Sequence, residues 1–407
     1  MSGNKRTKVS RPGRLTAVQK RMSVEPYWYL IIPISIILGV LYLYHLATAF
    51  TPSRSALTIA IFNLELFWYG ILIILGVALG TYVVSRLALD RAKRLFDSHV
   101  PKKLQVQPIS VLELPAEIQA KLVKNGMERL GAVLFQWGLH PERLGLNRAG
   151  TREVQKKLEA VPEVEPEWLT DAPWRVWNPD YAWNGVVACL ILAIIGARLY
   201  HVFTPSPSMA DLEIRSFMDY FRQPLELINL RNGGLGIYGG IVGGALGLLW
   251  YTRRNRLPTI GWADLGVVGV ALGQFVGRWG NFVNQELYGR PTDLPWAVHI
   301  DPAYRLPGYE TFETFHPAFL YESIWNLLSF LVLLYVARRY HKKLQTGDLM
   351  ALYLVQYAVG RILLELVRLD SRMVELGSLS IPVATVVSLA VALPMAILLV
   401  QRHVLNR

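Results

Sequence analysis

The sequence predicts an all-α polytopic membrane protein, and three observations carry that prediction. Apolar side chains make up 52% of the 407 residues and the mean hydropathy is +0.29, which is high for a soluble chain. The apolar residues gather into eight long runs, at 27–50, 66–87, 184–203, 235–251, 262–283, 318–336, 349–366 and 379–400, each close to the ~20 residues that a membrane-crossing helix needs. The net charge of +12 would suggest nucleic acid in a soluble protein, but here it is confined to short clusters between the runs, at 5–20, 86–94, 253–256, 338–343 and 402–407. That distribution is the positive-inside pattern of a multi-pass membrane protein.

Taken in order, residues 1–55 form a basic, cytoplasmic N-terminus and a first transmembrane helix. This run ends in Ala47-Thr48-Ala49, like a signal-peptidase site, yet it exceeds the usual secretory core of about 7–15 residues, so it reads as an uncleaved anchor. Residues 56–88 carry the second run. Residues 89–183 break the pattern: they are charged and contain Pro141, Pro162, Pro166 and Pro173, with helical periodicity over 115–138 and a short helix over 151–160. They read as a small cytoplasmic helical insert. Residues 184–407 supply six further helices. With the N-terminus inside, loops 88–183, 252–261, 337–348 and the C-terminal tail are also inside and hold the basic clusters. Loops 51–65, 204–234, 284–317 and 367–378 then lie outside, and the Pro205- and Pro207-containing loop reads as a lid or arm on the membrane surface. The single cysteine, Cys189, sits in an apolar run, which excludes an internal disulfide or a thiolate metal cluster.

The motifs fall at the outer ends of these helices. Gly234-x-Gly236-x-x-Gly239 mimics a dinucleotide fingerprint, but it opens an apolar run rather than linking a strand to a helix. Its glycines instead form two stacks, Gly236/Gly240/Gly244 and Gly239/Gly243/Gly247, that let helices approach closely. Packing alone does not explain Tyr238 among them. Arg278, Asn281 and Asn284 recur every three residues, near one helical face, with Glu286 and Gly289 following in a turn. Ionisable groups at membrane depth are costly and mark substrate sites, and the guanidinium fork suits a phosphate. The plain alternative is a helix-end salt bridge. Arg361 and Glu365 stand at i and i+4, either as a staple between helices or as part of the same anion site. Arg198 is a third intramembrane arginine. His316-Pro317 opens the sixth run, where His316 reads as a cap, with a base as the alternative. Tyr69 lies near the outer end of the second run, where tyrosines anchor to the interface.

These residues resemble the prolipoprotein diacylglyceryl transferase family. The family signature Arg-x-Gly-Asn-Phe-x-Asn-x-Glu-x-x-Gly is matched by Arg278, Gly280, Asn281, Phe282, Asn284, Glu286 and Gly289. Trp68-Tyr69-Gly70, Gly196-Ala197-Arg198, the glycine stretch at 233–240, His316-Pro317, Leu320-Tyr321-Glu322, and Arg361 with Glu365 follow the family order. The resemblance runs from about residue 60 to the end, the insert excepted. It implies a seven-helix core plus one added N-terminal helix, in the bacterial plasma (inner) membrane, with both termini cytoplasmic and the active site towards the outer face. It also implies transfer of the diacylglyceryl group of phosphatidylglycerol to the lipobox cysteine of prolipoproteins, releasing glycerol 1-phosphate. Phosphatidylglycerol, prolipoprotein signal peptides and membrane lipid are the implied partners, and no cofactor or metal is implied. Arg278, Tyr238, Arg361, Glu365 and Tyr69 would form the catalytic set. Arg278, Asn281, Asn284, Glu286, Gly289, Arg198 and His316 would bind the lipid, with Glu286 and Glu365 orienting arginines. Some members carry His where Tyr238 stands. The base is left open among Tyr238, His316 and a carboxylate. The rival readings are a transporter or flippase for an anionic lipid, and a scaffold whose Arg and Glu residues only staple helices.

Overall fold

The computed structural model describes residues 25–59, 64–205, 209, 212–229, 234–369, 373–376 and 379–405. The basic cluster at 5–20, Pro207 and Gly233 lie outside them. The described residues form the helices α1 (Trp28–Thr48), α2 (Trp68–His99), α3 (Lys102–Gln105), α4 (Ala116–Lys124), α5 (Leu130–Leu139), α6 (Arg148–Glu159), α7 (Pro166–Thr170), α8 (Asp180–Phe203), α9 (Asp219–Arg222), α10 (Ile237–Arg254), α11 (Thr259–Asn284), α12 (Ala318–Arg339), α13 (Asp348–Glu365) and α14 (Val383–Val400). Each of the eight apolar runs becomes a helix of at least 18 residues. Six of them are long and apolar enough to cross a membrane by length and composition. The other two, α10 and α13, have 18 residues each and carry Arg253 and Arg254, or Asp348, Arg361 and Glu365. The molecule is a mostly helical, multi-pass membrane protein.

Three small antiparallel hairpins were not anticipated: β1 (Ser55–Ile59) with β2 (Leu64–Phe67), β3 (Val298–His299) with β4 (Thr314–Phe315), and β5 (Met373–Leu376) with β6 (Leu379–Pro382). Strands β1, β3, β4 and β5 lie in loops assigned by charge to one side, while β2 and β6 extend into the apolar runs at 66–87 and 379–400.

Helix α11 is central, packing against α2, α12 and α13. Its approach to α2 depends on glycine. A Cβ at Gly80 would lie 2.4 Å from the Gly269 carbonyl oxygen, and one at Gly76 would lie 2.8 Å from that of Gly273. The α8–α10 seam works the same way and separates the two glycine stacks. A Cβ at Gly239 or Gly243 would sit 2.1 Å from a carbonyl oxygen of α8, whereas at Gly240 and Gly244 the nearest atoms are at 3.6 and 3.7 Å. The Gly239/Gly243/Gly247 stack forms the tight backbone seam, and of the other stack Gly236 is also close, with a Cβ there 2.2 Å from the Tyr200 ring; helix backbones in lipid associate through such close packing rather than hydrophobic exclusion.

The loops sort by end. Glu25 pairs with Arg86 and Arg338 at 3.3 and 3.0 Å, and Arg338 also meets Asp90. At the same end, Asp264 of α11 accepts the Gly347 and Met350 N–H groups that begin α13, and Asp348 binds Arg402 and His403. At the opposite end, His45 meets His299, Arg54 meets Asn284, and Gly289 meets His316 and Val367.

Helix α2 continues to His99, well past the predicted end at residue 87, because Ala88, Ala92 and Phe96 are buried under the insert. The stretch 115–138 splits into α4 and α5 at Gly126, whose φ of +79° breaks the helix. The short helix α6 is capped by Asn147, whose Oδ1 accepts the Gly150 N–H at 2.8 Å. The insert is a packed unit around Leu122, Leu130, Leu134, Trp168 and Trp174, all buried, and the Trp174 indole donates to the Phe135 carbonyl at 3.2 Å. It contacts the membrane helices through Trp262, whose indole donates to the Val176 carbonyl at 3.1 Å.

Candidate active site

A cavity of about 440 Å³ opens among α10, α11, α12 and α13. Arg278 enters it from the last turns of α11, Tyr238 from the start of α10, Tyr321 and Glu322 from the first turns of α12, Arg361 from α13, and Arg368 from just beyond α13. The Arg278 guanidinium is ion-paired with Glu322, and its Nη1 donates weakly to Asn281 Oδ1 at 3.5 Å. Arg361 Nη2 lies 2.5 Å from Glu365 Oε1 on the same helix. Glu365 is not itself in the lining and meets it through Arg361. Three arginines thus line one cavity. Beside them the lining carries Glu322, Asn326 and the phenols of Tyr238, Tyr321 and Tyr357, and apolar wall from Ile237, Ile241, Trp325, Leu363, Leu364 and Val367. A cavity lined by both guanidinium groups and apolar side chains suits an anionic head group with an acyl tail.

The signature segment divides its roles differently from the sequence expectation. Helix α11 ends at Asn284, and Gln285 follows in a left-handed turn with φ of 51°. Both Asn281 Nδ2 and Asn284 Nδ2 donate to Glu286 Oε1, at 2.8 and 3.2 Å. Glu286 therefore gathers the two amides, and the carboxylate that orients Arg278 is Glu322. Gly289 is a backbone clamp. Its N–H donates to His316 O at 2.9 Å and the neighbouring Arg290 N–H donates to Val367 O at 2.8 Å. A Cβ at Gly289 would lie 2.6 Å from Val367 O and 2.8 Å from His316 Cβ. The glycine thus holds the end of α11, the start of α12 and the exit of α13 together.

Three further expected residues sit outside the cavity lining. Tyr69 packs its ring on α11 at Gly280, where a Cβ would be 2.5 Å from Tyr69 Cδ2. His316 is not a cap: Pro317 precedes α12 without a side-chain cap bond, and His316 Nδ1 lies 3.1 Å from the Tyr321 hydroxyl. Arg198 donates to the carbonyls of Leu227 and Gly234, each at 2.9 Å, and of Glu226. It roots the loop over 212–229 on α8 and is not among the residues that line the cavity with Arg278 and Arg361. That loop presents exposed Met218, Phe221, Leu225 and Ile228. The loop after α11 is pinned by Tyr288, which accepts the Leu306 N–H at 2.6 Å and donates to Tyr304 O at 3.0 Å. Burial pushes the Tyr288 phenol above its ordinary range.

Sequence reasoning gave no role to Glu322, Arg368, Trp325 or Asn326. Two signals were present. Glu322 is a carboxylate in an apolar run with no basic residue within four positions, so its partner had to come from another helix. Arg368 follows Arg361 by seven residues, which places both on one helical side.

Residues 167–401 match the family model described as prolipoprotein diacylglyceryl transferase. Among similar curated proteins, the phosphatidylglycerol–prolipoprotein diacylglyceryl transferase of Chloroflexus aggregans is 42% identical over 210 residues, covering 48% of this chain and 65% of that protein. The protein of the same name from Frankia alni is 42% identical over 240 residues, covering 58% of this chain and 60% of its own. That of Trichormus variabilis is 40% identical over 218 residues, covering 53% of this chain and 72% of its own. The chain thus spans less than two thirds of the first two relatives.

Proposed function

The chain belongs to the prolipoprotein diacylglyceryl transferase family, and from that membership we propose that it moves the diacylglyceryl group of phosphatidylglycerol onto the lipobox cysteine of prolipoproteins. The observation that carries this reading is the cavity in which Arg278, Arg361 and Arg368 meet an apolar wall. The relatives named above are transferases, which favours this reading over an anionic-lipid carrier.

In the reaction, the cysteine sulfur attacks the glyceryl carbon that bears the phosphate. A C–S bond forms as the C–O bond breaks, and glycerol 1-phosphate leaves with the electron pair. Charge accumulates on the leaving phosphate, where preorganised cations help most. Arg278 and Arg361 are suited to stabilise it, because each guanidinium is already aimed by a carboxylate, Glu322 or Glu365, and little reorganisation is needed on binding. Arg368 adds a third cation, and Asn281, Asn284 and Glu286 shape the adjoining helix end for the glycerol head group. Tyr238, in the lining, and Tyr69, packed on α11 at Gly280, position the substrates. The thiol must lose its proton to be nucleophilic. The lining offers Glu322 and the phenol groups of Tyr238, Tyr321 and Tyr357 as partners for that proton, and His316 reaches the lining through Tyr321.

All eight long helices cross the bacterial inner membrane in this reading, α1 being a retained anchor. The basic end, with both termini and the insert of residues 89–183, faces the cytoplasm, and the cavity faces outward. The test incubates the purified full chain with phosphatidylglycerol and a lipobox peptide, and follows the added diacylglyceryl mass by mass spectrometry. Wild-type protein should modify the peptide and Arg278→Ala should not, while remaining folded and inserted. Near-normal transfer by Arg278→Ala would sink the phosphate role.

A further inference from the structure

Helix α1 lies outside the segment matched by the family model, yet its buried stripe is not only apolar. Ile31 and Leu38 are joined on it by Tyr42 and His45, with exposures of 5% and 1%. A phenol and an imidazole buried in an apolar helix are costly unless bonded, and both are bonded to the outer loop after α11. The Tyr42 hydroxyl donates to the Trp296 carbonyl at 2.8 Å. His45 Nε2 accepts the His299 N–H at 3.1 Å, which leaves Nδ1–H to donate to Phe50 O at 2.9 Å. From the same Trp296, the indole N–H reaches the Tyr321 hydroxyl at 3.0 Å, and Tyr321 lines the cavity. The Tyr42 ring also stands edge-on to Phe282 of α11 and Phe319 of α12, at 5.9 and 5.6 Å. Those helices carry Arg278 and Glu322.

We propose that α1 is a positioning element of the active site, with Tyr42 setting Trp296 and, through it, the Tyr321 hydroxyl in the cavity wall. Tyr42, His45 and Trp296 are positioning residues that touch no substrate. The proposal rests on the transferase reading above.

The test uses the full chain with Tyr42→Phe, which keeps the ring and removes the hydroxyl, with Trp296→Phe, and with the double variant. Leu43→Ala, on the exposed side of α1, is the control. Loss of one neutral hydrogen bond corresponds to roughly 5- to 10-fold, so each single variant should lower kcat by about that factor with KM for phosphatidylglycerol vesicles within about twofold. Because both substitutions break one chain of contacts, the double variant should be no slower than the slower single variant. Hydrogen exchange in residues 294–301 should rise in Tyr42→Phe and stay unchanged in Leu43→Ala. A wild-type rate in Tyr42→Phe, losses that multiply in the double variant, or unchanged exchange at 294–301 would each overturn the proposal. An inactive wild-type chain would instead overturn the transferase reading, and the exchange measurement would still decide whether Tyr42 holds the loop.

Discussion

Substituting Gly289 by alanine tests the claim that this signature glycine is a clamp. Its φ is not in the left-handed region, so the backbone conformation suits alanine and only space opposes it. The added Cβ would fall 2.6 Å from the Val367 carbonyl oxygen, against ordinary contact from 3.4 Å. Both obstructing neighbours are fixed by the backbone bonds from Gly289 to His316 and from Arg290 to Val367. Overpacking costs about 1–3 kcal/mol, and disturbing two hydrogen bonds at about 1 kcal/mol each places Gly289→Ala at the upper end, near 3 kcal/mol. The displaced α13 exit also carries Arg368, and a misplacement of about 1 Å at a reacting centre can cost ~100-fold in rate. We therefore expect a lower melting temperature in detergent and a transfer rate down by roughly that factor. Gly277→Ala is the reference, since its Cβ would meet nothing within 4 Å and gains up to about 1 kcal/mol of helix propensity. Gly280→Ala, opposed only by the Tyr69 ring, should fall between them. A Gly289→Ala rate within about threefold of wild type, or equal damage from Gly277→Ala, would refute the clamp. An unchanged melting temperature with a raised KM alone would return Gly289 to direct substrate contact.

Glu322→Gln removes the charge that aims Arg278. Because both side chains are partly exposed, Arg278 at 30% and Glu322 at 18%, the loss should be about 1–2 kcal/mol rather than the larger cost of a fully buried pair, read as roughly 10-fold in transfer rate. Glu286→Gln should cost less in the same assay, since an amide oxygen still accepts from Asn281 and Asn284. Arg198→Lys gives up the fork that reaches three carbonyls, so limited proteolysis should cut within 212–229 faster than in wild type. Gly239→Ala should lower thermal stability far more than Gly240→Ala, whose Cβ would have 3.6 Å to the nearest atom.

The long helices were readable from the sequence because apolar runs of span length have few alternatives in lipid, where backbone groups must bond within the segment. The insert's internal breaks were harder to read: 115–138 keeps helical periodicity across Asn125-Gly126, and only the structure shows that the chain breaks there and packs α5 against the segments that carry Trp168 and Trp174. Residue types at the site were also readable, since an arginine in an apolar run needs an explanation wherever it stands. The pairings were not. Glu286 is closer than Glu322 to Arg278 in sequence, but the turn after Asn284 carries Glu286 to the two asparagines, while α12 delivers Glu322 across the helix interface.

The sequence by itself determined that this chain is a multi-pass helical membrane protein and, through Arg278 to Gly289, which family it belongs to. Composition and local spacing suffice for that, because lipid penalises every charge and every unpaired backbone group. Only the tertiary structure decided which charges meet. It placed Arg198 under a loop, Gly289 between three chain segments, Glu322 on Arg278, and Tyr42 of α1 against the loop that reaches Tyr321. Such contacts depend on the relative placement of helices far apart in the chain, which close packing at the glycine seams fixes and no local pattern encodes.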